Sequence, residues 1–226
     1  MKTDGERPMS RIYLFGDSVM KGVTFSAESN SYSIHKRHLT PDAEVENRSV
    51  FGATAKKVFS EIERRLPENS SGDIVVLSFG GNDSDHNWAE VSAAPKESHG
   101  PKTPIGEFEK LLASCIELAK GRGAEVFVSS LIPIDAQKYM ERISRGLSKE
   151  NILSWLGSED MLYRWHEYYD RVTRTVAQSL GVSVIDLRTP FLLSHEFGEL
   201  LSADGIHPTE KGHCMIDSTL SAALGA

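Results

Sequence analysis

Cysteine is scarce in this chain, which carries only Cys115 and Cys214 among 226 residues. The two are far apart and form no C-x-x-C pair, which excludes a disulfide framework and a zinc ribbon. Both stand among apolar residues at helical spacing, so both are expected to be buried as small hydrophobes. A basic stripe is missing too. Lys and Arg together number 25 against 32 Asp and Glu, a formal net charge of −7. That balance argues against nucleic acid, whose binding requires clustered cations to displace counterions. No apolar run approaches the roughly 20 residues of a membrane span, and the opening "MKTDGERPMS" lacks the apolar core of a signal peptide. These absences point to a cytoplasmic protein with neither a nucleic-acid nor a membrane partner. Repeats, low-complexity tracts and linkers are absent as well. A single domain spanning 1–226 is therefore expected, with 39% hydrophobic residues to build one sizeable core. Nothing in the pattern speaks to oligomeric state.

What the chain does have is an alternation. Apolar β-type runs at Arg11–Phe15, Glu44–Asn47, Ile74–Phe79, Val126–Ser130 and Val182–Asp186 are separated by longer stretches of helical period. Ala55–Leu66 carries Val58, Phe59, Ile62 and Leu66 on one stripe; Ile105–Lys120 carries Phe108, Leu111, Leu112, Cys115 and Leu118. Thr103 before Pro104 reads as an N-cap with proline at the first helical position, and Gly121 and Gly123 close that helix. This is the βαβ rhythm of a parallel sheet.

In open parallel sheets, ligands collect at the carboxyl ends of the strands, where loops and helix N-termini converge. The polar signals of this chain stand there. Gly16-Asp17-Ser18 follows the first strand, Gly52 in "NRSVFGATA" the second, and "GGND" at 80–83 the third; "DGIHPTE" near the C-terminus holds Asp204 and His207. A serine hydroxyl is a weak nucleophile until a base takes its proton, and a lone serine after a strand is usually a cap. His207 offers an imidazole, and Asp204 three residues earlier could fix its tautomer. Asp17, adjacent to the serine, reads as a turn-stabilising carboxylate. Asp83, Asp85 and His86 have no metal-like spacing and read as a hydrated acidic loop. His35 and His38, three apart on what reads as a short helix, lack a third ligand. No metal and no cofactor are expected.

"FGDSVMKG", the Gly52 segment, "GGND" and "DGIH" together resemble the four sequence blocks of the SGNH or GDSL hydrolases, spread over nearly the whole chain. The resemblance implies a flavodoxin-like three-layer α/β/α sandwich with a central five-stranded parallel sheet. It also implies Ser18 as nucleophile, His207 as general base and Asp204 as its partner. An oxyanion hole would be formed by Ser18, Gly52 and Asn82, each a short donor on a rigid strand end. The G-x-S-x-G elbow of ordinary α/β-hydrolases is absent, because Met20 occupies the second glycine position.

The segment of about 133–169 is long for a connection between a strand and its helix and reads as a helical insertion at the site's rim. Ser148 can cap a helix bearing Ile152, Leu153 and Leu156, and Met161, Trp165, Tyr168, Tyr169, Val172 and Val176 form a second stripe. Trp165 and Tyr169 are assigned to the core. Tyr139, Trp155, Tyr163 and His166, with Trp88 from the stretch after "GGND", are the candidate substrate contacts. Aromatic and polar side chains suit a sugar ring better than a long acyl chain. The expectation is a serine esterase or deacylase acting through an acyl-enzyme on short-chain esters, acetyl first, of a small molecule or carbohydrate. A lysophospholipase or acyl thioesterase would need an apolar channel, and a noncatalytic binding module on the same fold is the alternative from another class.

Overall fold

The computed structural model describes residues 11–39 and 44–225. Five strands, β1 (Arg11–Gly16), β4 (Glu44–Asn47), β5 (Ile74–Ser78), β6 (Glu125–Ser129) and β7 (Ser183–Ile185), form one parallel sheet in the order β4-β1-β5-β6-β7. Counting these five alone, the order is 2-1-3-4-5, that of the flavodoxin-like sandwich. The strands lie within a residue of the spans expected from the sequence. Between β1 and β4 lies an antiparallel hairpin, β2 (Val23–Ser26) and β3 (Ser31–Ile34), whose alternation is too short to stand out in the sequence.

Alternation along the strands divides the core. Tyr13, Phe15, Val75 and Leu77 pack on one face of the sheet with α2 (Ala55–Arg65), α5 (Ile105–Gly121) and α8 (Met161–Ser179). Ile12, Leu14 and Val76 pack on the other with Phe191, Ile216 and Leu220, the last two from α11 (Glu210–Ala223). Side chains buried on both faces identify a sheet covered by two helical layers, and each fully buried aliphatic or phenyl group contributes about 1.5–3 kcal/mol.

The 133–169 stretch contains α6 (Ala136–Ile143), α7 (Lys149–Leu156) and the first half of α8, the crossover helix that continues to Ser179. With α4 (Trp88–Ala93) these helices enclose their own apolar cluster of Trp88, Val91, Ile134, Met140, Ile152 and Leu162.

Some sequence expectations need correction. Cys115 is buried, and burial pushes its thiol pKa up, but Cys214 is exposed because its position on α11 faces outward. The helix after Thr103 begins at Ile105, with Pro104 at the cap position and no side-chain cap bond. Thr103 is buried instead, its N–H donating to the Asp83 carbonyl at 3.1 Å. His35 and His38 are not on a helix. His35 follows β3, its two ring nitrogens 2.8 Å from a Glu210 oxygen and 2.9 Å from an Asp217 oxygen, where it ties the hairpin to α11.

Candidate active site

The serine stands where it does because β1 runs into its neighbour. A Cβ on Gly16 would lie 2.2 Å from the Ser78 carbonyl oxygen of β5, so only glycine lets the two strand ends approach so closely. The next residue, Asp17, caps the single turn α1 (Ser18–Lys21) by accepting from the Val19 N–H at 2.9 Å, and Gly22 at φ 96° ends it. Ser18 is thus the first residue of a one-turn helix at the carboxyl edge of the sheet. Asp17 is buried, and burial pushes its carboxyl up to about 6, against the pull of the Val19 N–H and of His207.

His207 and Asp204 come from a loop closed on itself. Leu201 bridges Pro208, and the Ser202 N–H donates to the His207 carbonyl at 2.8 Å. One carboxylate oxygen of Asp204 accepts from the N–H groups of Ile206 at 3.2 Å and His207 at 3.1 Å; the other lies 2.7 Å from His207 Nδ1. His207 Nε2 lies 2.9 Å from Ser18 Oγ. Burial alone would raise the Asp204 carboxyl, but the His207 hydrogen bond and charge and the two backbone N–H groups outweigh it and hold it below the usual range. The chain Asp204–His207–Ser18 is unbroken and nearly fully buried, an arrangement that can deprotonate the hydroxyl and carry the proton on Nε2.

Two further segments meet it. Gly80 at φ 138° turns the chain from β5 into α3 (Gly81–Ser84), which carries Asn82, whose Nδ2 donates to the Ala53 carbonyl at 3.1 Å. The loop holding Gly52 is tied to the end of β1 by the Val50 N–H, which donates to the Gly16 carbonyl at 2.9 Å. Gly52 itself, at φ 71°, faces open space. Asp83 is not part of a hydrated loop. It is completely buried, and its carboxylate oxygens accept from the Ala55 N–H at 2.9 and 3.1 Å, so one side chain locks the Gly52 loop to the Asn82 turn. Burial raises its pKa. Asp85 is equally committed: it accepts from Tyr139 Oη at 2.5 Å, Trp88 Nε1 at 2.7 Å and Lys102 Nζ at 2.8 Å. Among the described residues, no group of three or more His, Cys, Asp or Glu side chains is arranged to hold a metal ion.

A cavity of about 340 Å³ opens beside Ser18, Asn82 and His207 and runs beneath α4, α6, α7 and α8. Of the substrate contacts expected from the sequence, Trp88, Tyr139, Trp155 and His166 line it. Tyr163 does not: it lies under the Arg188 guanidinium, 5.2 Å from ring centre to Cζ, and borders a separate depression with Leu192 and Phe197. On α8 it follows the cavity residue Leu162 by one position and precedes Trp165 by two, and consecutive residues point about 100° apart around a helix. His166 is held neutral, burial and then the Arg188 charge lowering its pKa to about 3. Trp165, assigned to the core by its helical spacing, both packs on the core and lines the cavity. The aliphatic wall of Leu131, Ile132, Ile134, Leu156 and Leu162 was also missed. For Leu131, Ile132 and Ile134 the signal is the run "LIPI", which stays apolar beyond the end of β6; Leu156 and Leu162 come from the inserted helices.

Together, this sheet order and this Ser–His–Asp chain beside a cavity are the arrangement of a serine hydrolase on a flavodoxin-like sandwich. The model of the GDSL-like Lipase/Acylhydrolase family matches residues 14–214, and the chain belongs to that family. It is 24% identical over 208 residues to the GDSL esterase/lipase CPRD49 of Arabidopsis thaliana, covering 89% of this chain and 73% of that protein. Among solved structures it superposes on a lipase/acylhydrolase from Enterococcus faecalis with a TM-score of 0.61 at 16% identity, covering 96% and 95% of the two chains. It also superposes on an acetyl-xylooligosaccharide esterase from Geobacillus Stearmophilus with a TM-score of 0.65 at 15% identity, covering 96% and 94%. The described residues include no helix long and apolar enough to cross a membrane.

Proposed function

We propose that Ser18 attacks the carbonyl of a carboxylic ester, with His207 as general base, Asp204 as its orienter, and Ser18, Gly52 and Asn82 as donors to the oxyanion. In this reading the acyl group enters the cavity beneath the inserted helices. The observation that carries it is the 2.9 Å contact between His207 Nε2 and Ser18 Oγ at the mouth of that cavity. A space of about 340 Å³ exceeds what the methyl of an acetyl group fills and lies near the lower end of small-molecule sites, about 300–1,000 Å³. Its wall of Leu131, Ile134, Leu156 and Leu162 favours butanoyl to octanoyl groups. A second reading, an acetylated carbohydrate, draws support from Trp88 and Trp155 in the cavity, since indole faces stack on sugar rings.

A series of p-nitrophenyl esters from acetyl to dodecanoyl tests both readings. An optimum of kcat/KM between butanoyl and octanoyl, with Ser18→Ala inactive yet folded and unlabelled by a fluorophosphonate, supports the first. A maximum at acetyl, with acetylated sugars preferred over aryl acetates, supports the second. Labelling that persists in Ser18→Ala overturns the assigned nucleophile.

A further inference from the structure

We propose that Tyr32 and Phe51 form the subsite for the alcohol half of the ester, and that this half carries a ring. The inference rests on the ester-hydrolase reading above. In acylation the bond from Ser18 Oγ to the carbonyl carbon forms while the hydroxyl proton moves to His207 Nε2. The bond from carbon to the alcohol oxygen then breaks, and the same proton passes from Nε2 to the departing oxygen, releasing the alcohol; water deacylates by the reverse route. The alcohol oxygen must therefore come within hydrogen-bond reach of His207, and its substituent must lie along whatever borders that imidazole.

Two aromatic rings border it. Phe51 stacks on His207 at 5.8 Å between centroids and 18° between planes, and Tyr32 meets it edge-on at 5.5 Å and 69°. The two rings lie 5.1 Å from each other at 68°, forming a notch of two aromatic faces. Neither lines the acyl cavity, and both remain substantially exposed, 44% for Tyr32 and 48% for Phe51, with open space over the neighbouring Gly52. Adjoining aromatic side chains left exposed form the kind of apolar patch that marks a binding surface.

The notch is also held in place. Tyr32 packs on buried Phe25 at 5.2 Å, the Arg142 guanidinium lies 5.2 Å from the Phe25 ring centre, and Arg142 Nη2 donates to the Tyr32 hydroxyl at 3.3 Å. A flat or chair-shaped ring laid in a fixed notch gains area without losing rotamers. An open chain of equal carbon number loses several.

The test compares cyclohexylmethyl butanoate with heptyl butanoate, two primary-alcohol esters of equal carbon count that share one acyl-enzyme. The full chain should show a kcat/KM ratio favouring the cyclic ester by about three- to tenfold, the range of an aromatic contact. In Tyr32→Ala and in Phe51→Ala that ratio should collapse toward one. Tyr32→Leu, which keeps apolar bulk without the ring, should do the same and covers the case of an alanine variant that fails to fold. Because each variant is judged by a ratio of two esters, damage to His207 common to both cancels. A ratio near one in the parent, or one unmoved in the folded variants, overturns the subsite. Turnover of neither ester, with Ser18 unlabelled by a fluorophosphonate, overturns the ester-hydrolase reading itself.

Discussion

In an Asp204→Asn variant the side chain keeps its volume but must choose which end faces His207. One carboxylate oxygen now accepts from two backbone N–H groups, those of Ile206 and His207, while the other faces His207 Nδ1 at 2.7 Å. The amide satisfies all of these only by turning its oxygen to the backbone and its NH₂ to Nδ1. That NH₂ makes Nδ1 an acceptor and puts the imidazole proton on Nε2, where it faces Ser18 Oγ and cannot take the hydroxyl proton. Recovering the working tautomer requires reversing the amide, which leaves two buried backbone donors opposed by an NH₂. At about 1–3 kcal/mol for each unsatisfied donor the cost is roughly 2–6 kcal/mol. With about 1.4 kcal/mol per factor of ten, kcat/KM should fall by roughly 30-fold to 10⁴-fold. The assay is steady-state hydrolysis of p-nitrophenyl butanoate, with circular dichroism to show that the variant is folded. A folded Asp204→Asn variant within threefold of the parent would refute both the tautomer argument and the role of Asp204.

Asn82→Ala should lower kcat by about 10²–10³ with little change in KM, as for the loss of one oxyanion donor, and Asn82→Asp should be at least as damaging. Because Asn82 also donates to Ala53, thermal melting must accompany the kinetics, and a variant that loses stability and activity in proportion assigns it to the turn alone. For Asp17, with a pKa raised by burial to about 6, the folded state holds a proton that the unfolded chain has released. Stability should therefore fall as pH rises from about 4 to about 6, and Asp17→Asn should remove that part of the slope in urea midpoints measured across the interval. Gly205→Ala would force a left-handed backbone at φ 76° on alanine and set its Cβ 2.5 Å from the Asp135 carbonyl oxygen and 2.6 Å from the Tyr139 nitrogen. The strain, about 1–2 kcal/mol, and the overpacking, about 1–3 kcal/mol, add to roughly 2–5 kcal/mol. A chemical denaturation midpoint equal to the parent's would contradict the close packing of α6 on the Asp204–His207 loop.

While the link from Asp204 and His207 to Ser18 came from the family resemblance, the periodicity of the chain was sufficient for the five strands, the parallel sheet and the strand-end position of Ser18, Gly52 and Asn82. Those properties are local: an alternation of two, a stripe of 3.6, a glycine where a strand must end. They survive in one dimension because each is a pattern of neighbours along the chain. The fate of a side chain that meets a partner dozens of residues away is not local. Asp83 looks like a surface acid in "GGND", yet it is buried because the Ala55 N–H, 28 positions earlier, needs an acceptor. Trp165 and Tyr163 sit two apart on one helix, and only the packing of α8 against the sheet sends one into the cavity and the other to Arg188. The apolar wall behind Ser18 likewise draws on Leu131 and Ile134 beyond β6 and on Leu156 and Leu162 from the insertion. It exists only once those segments fold over one another, since a cavity is a property of the space between elements and not of any one of them.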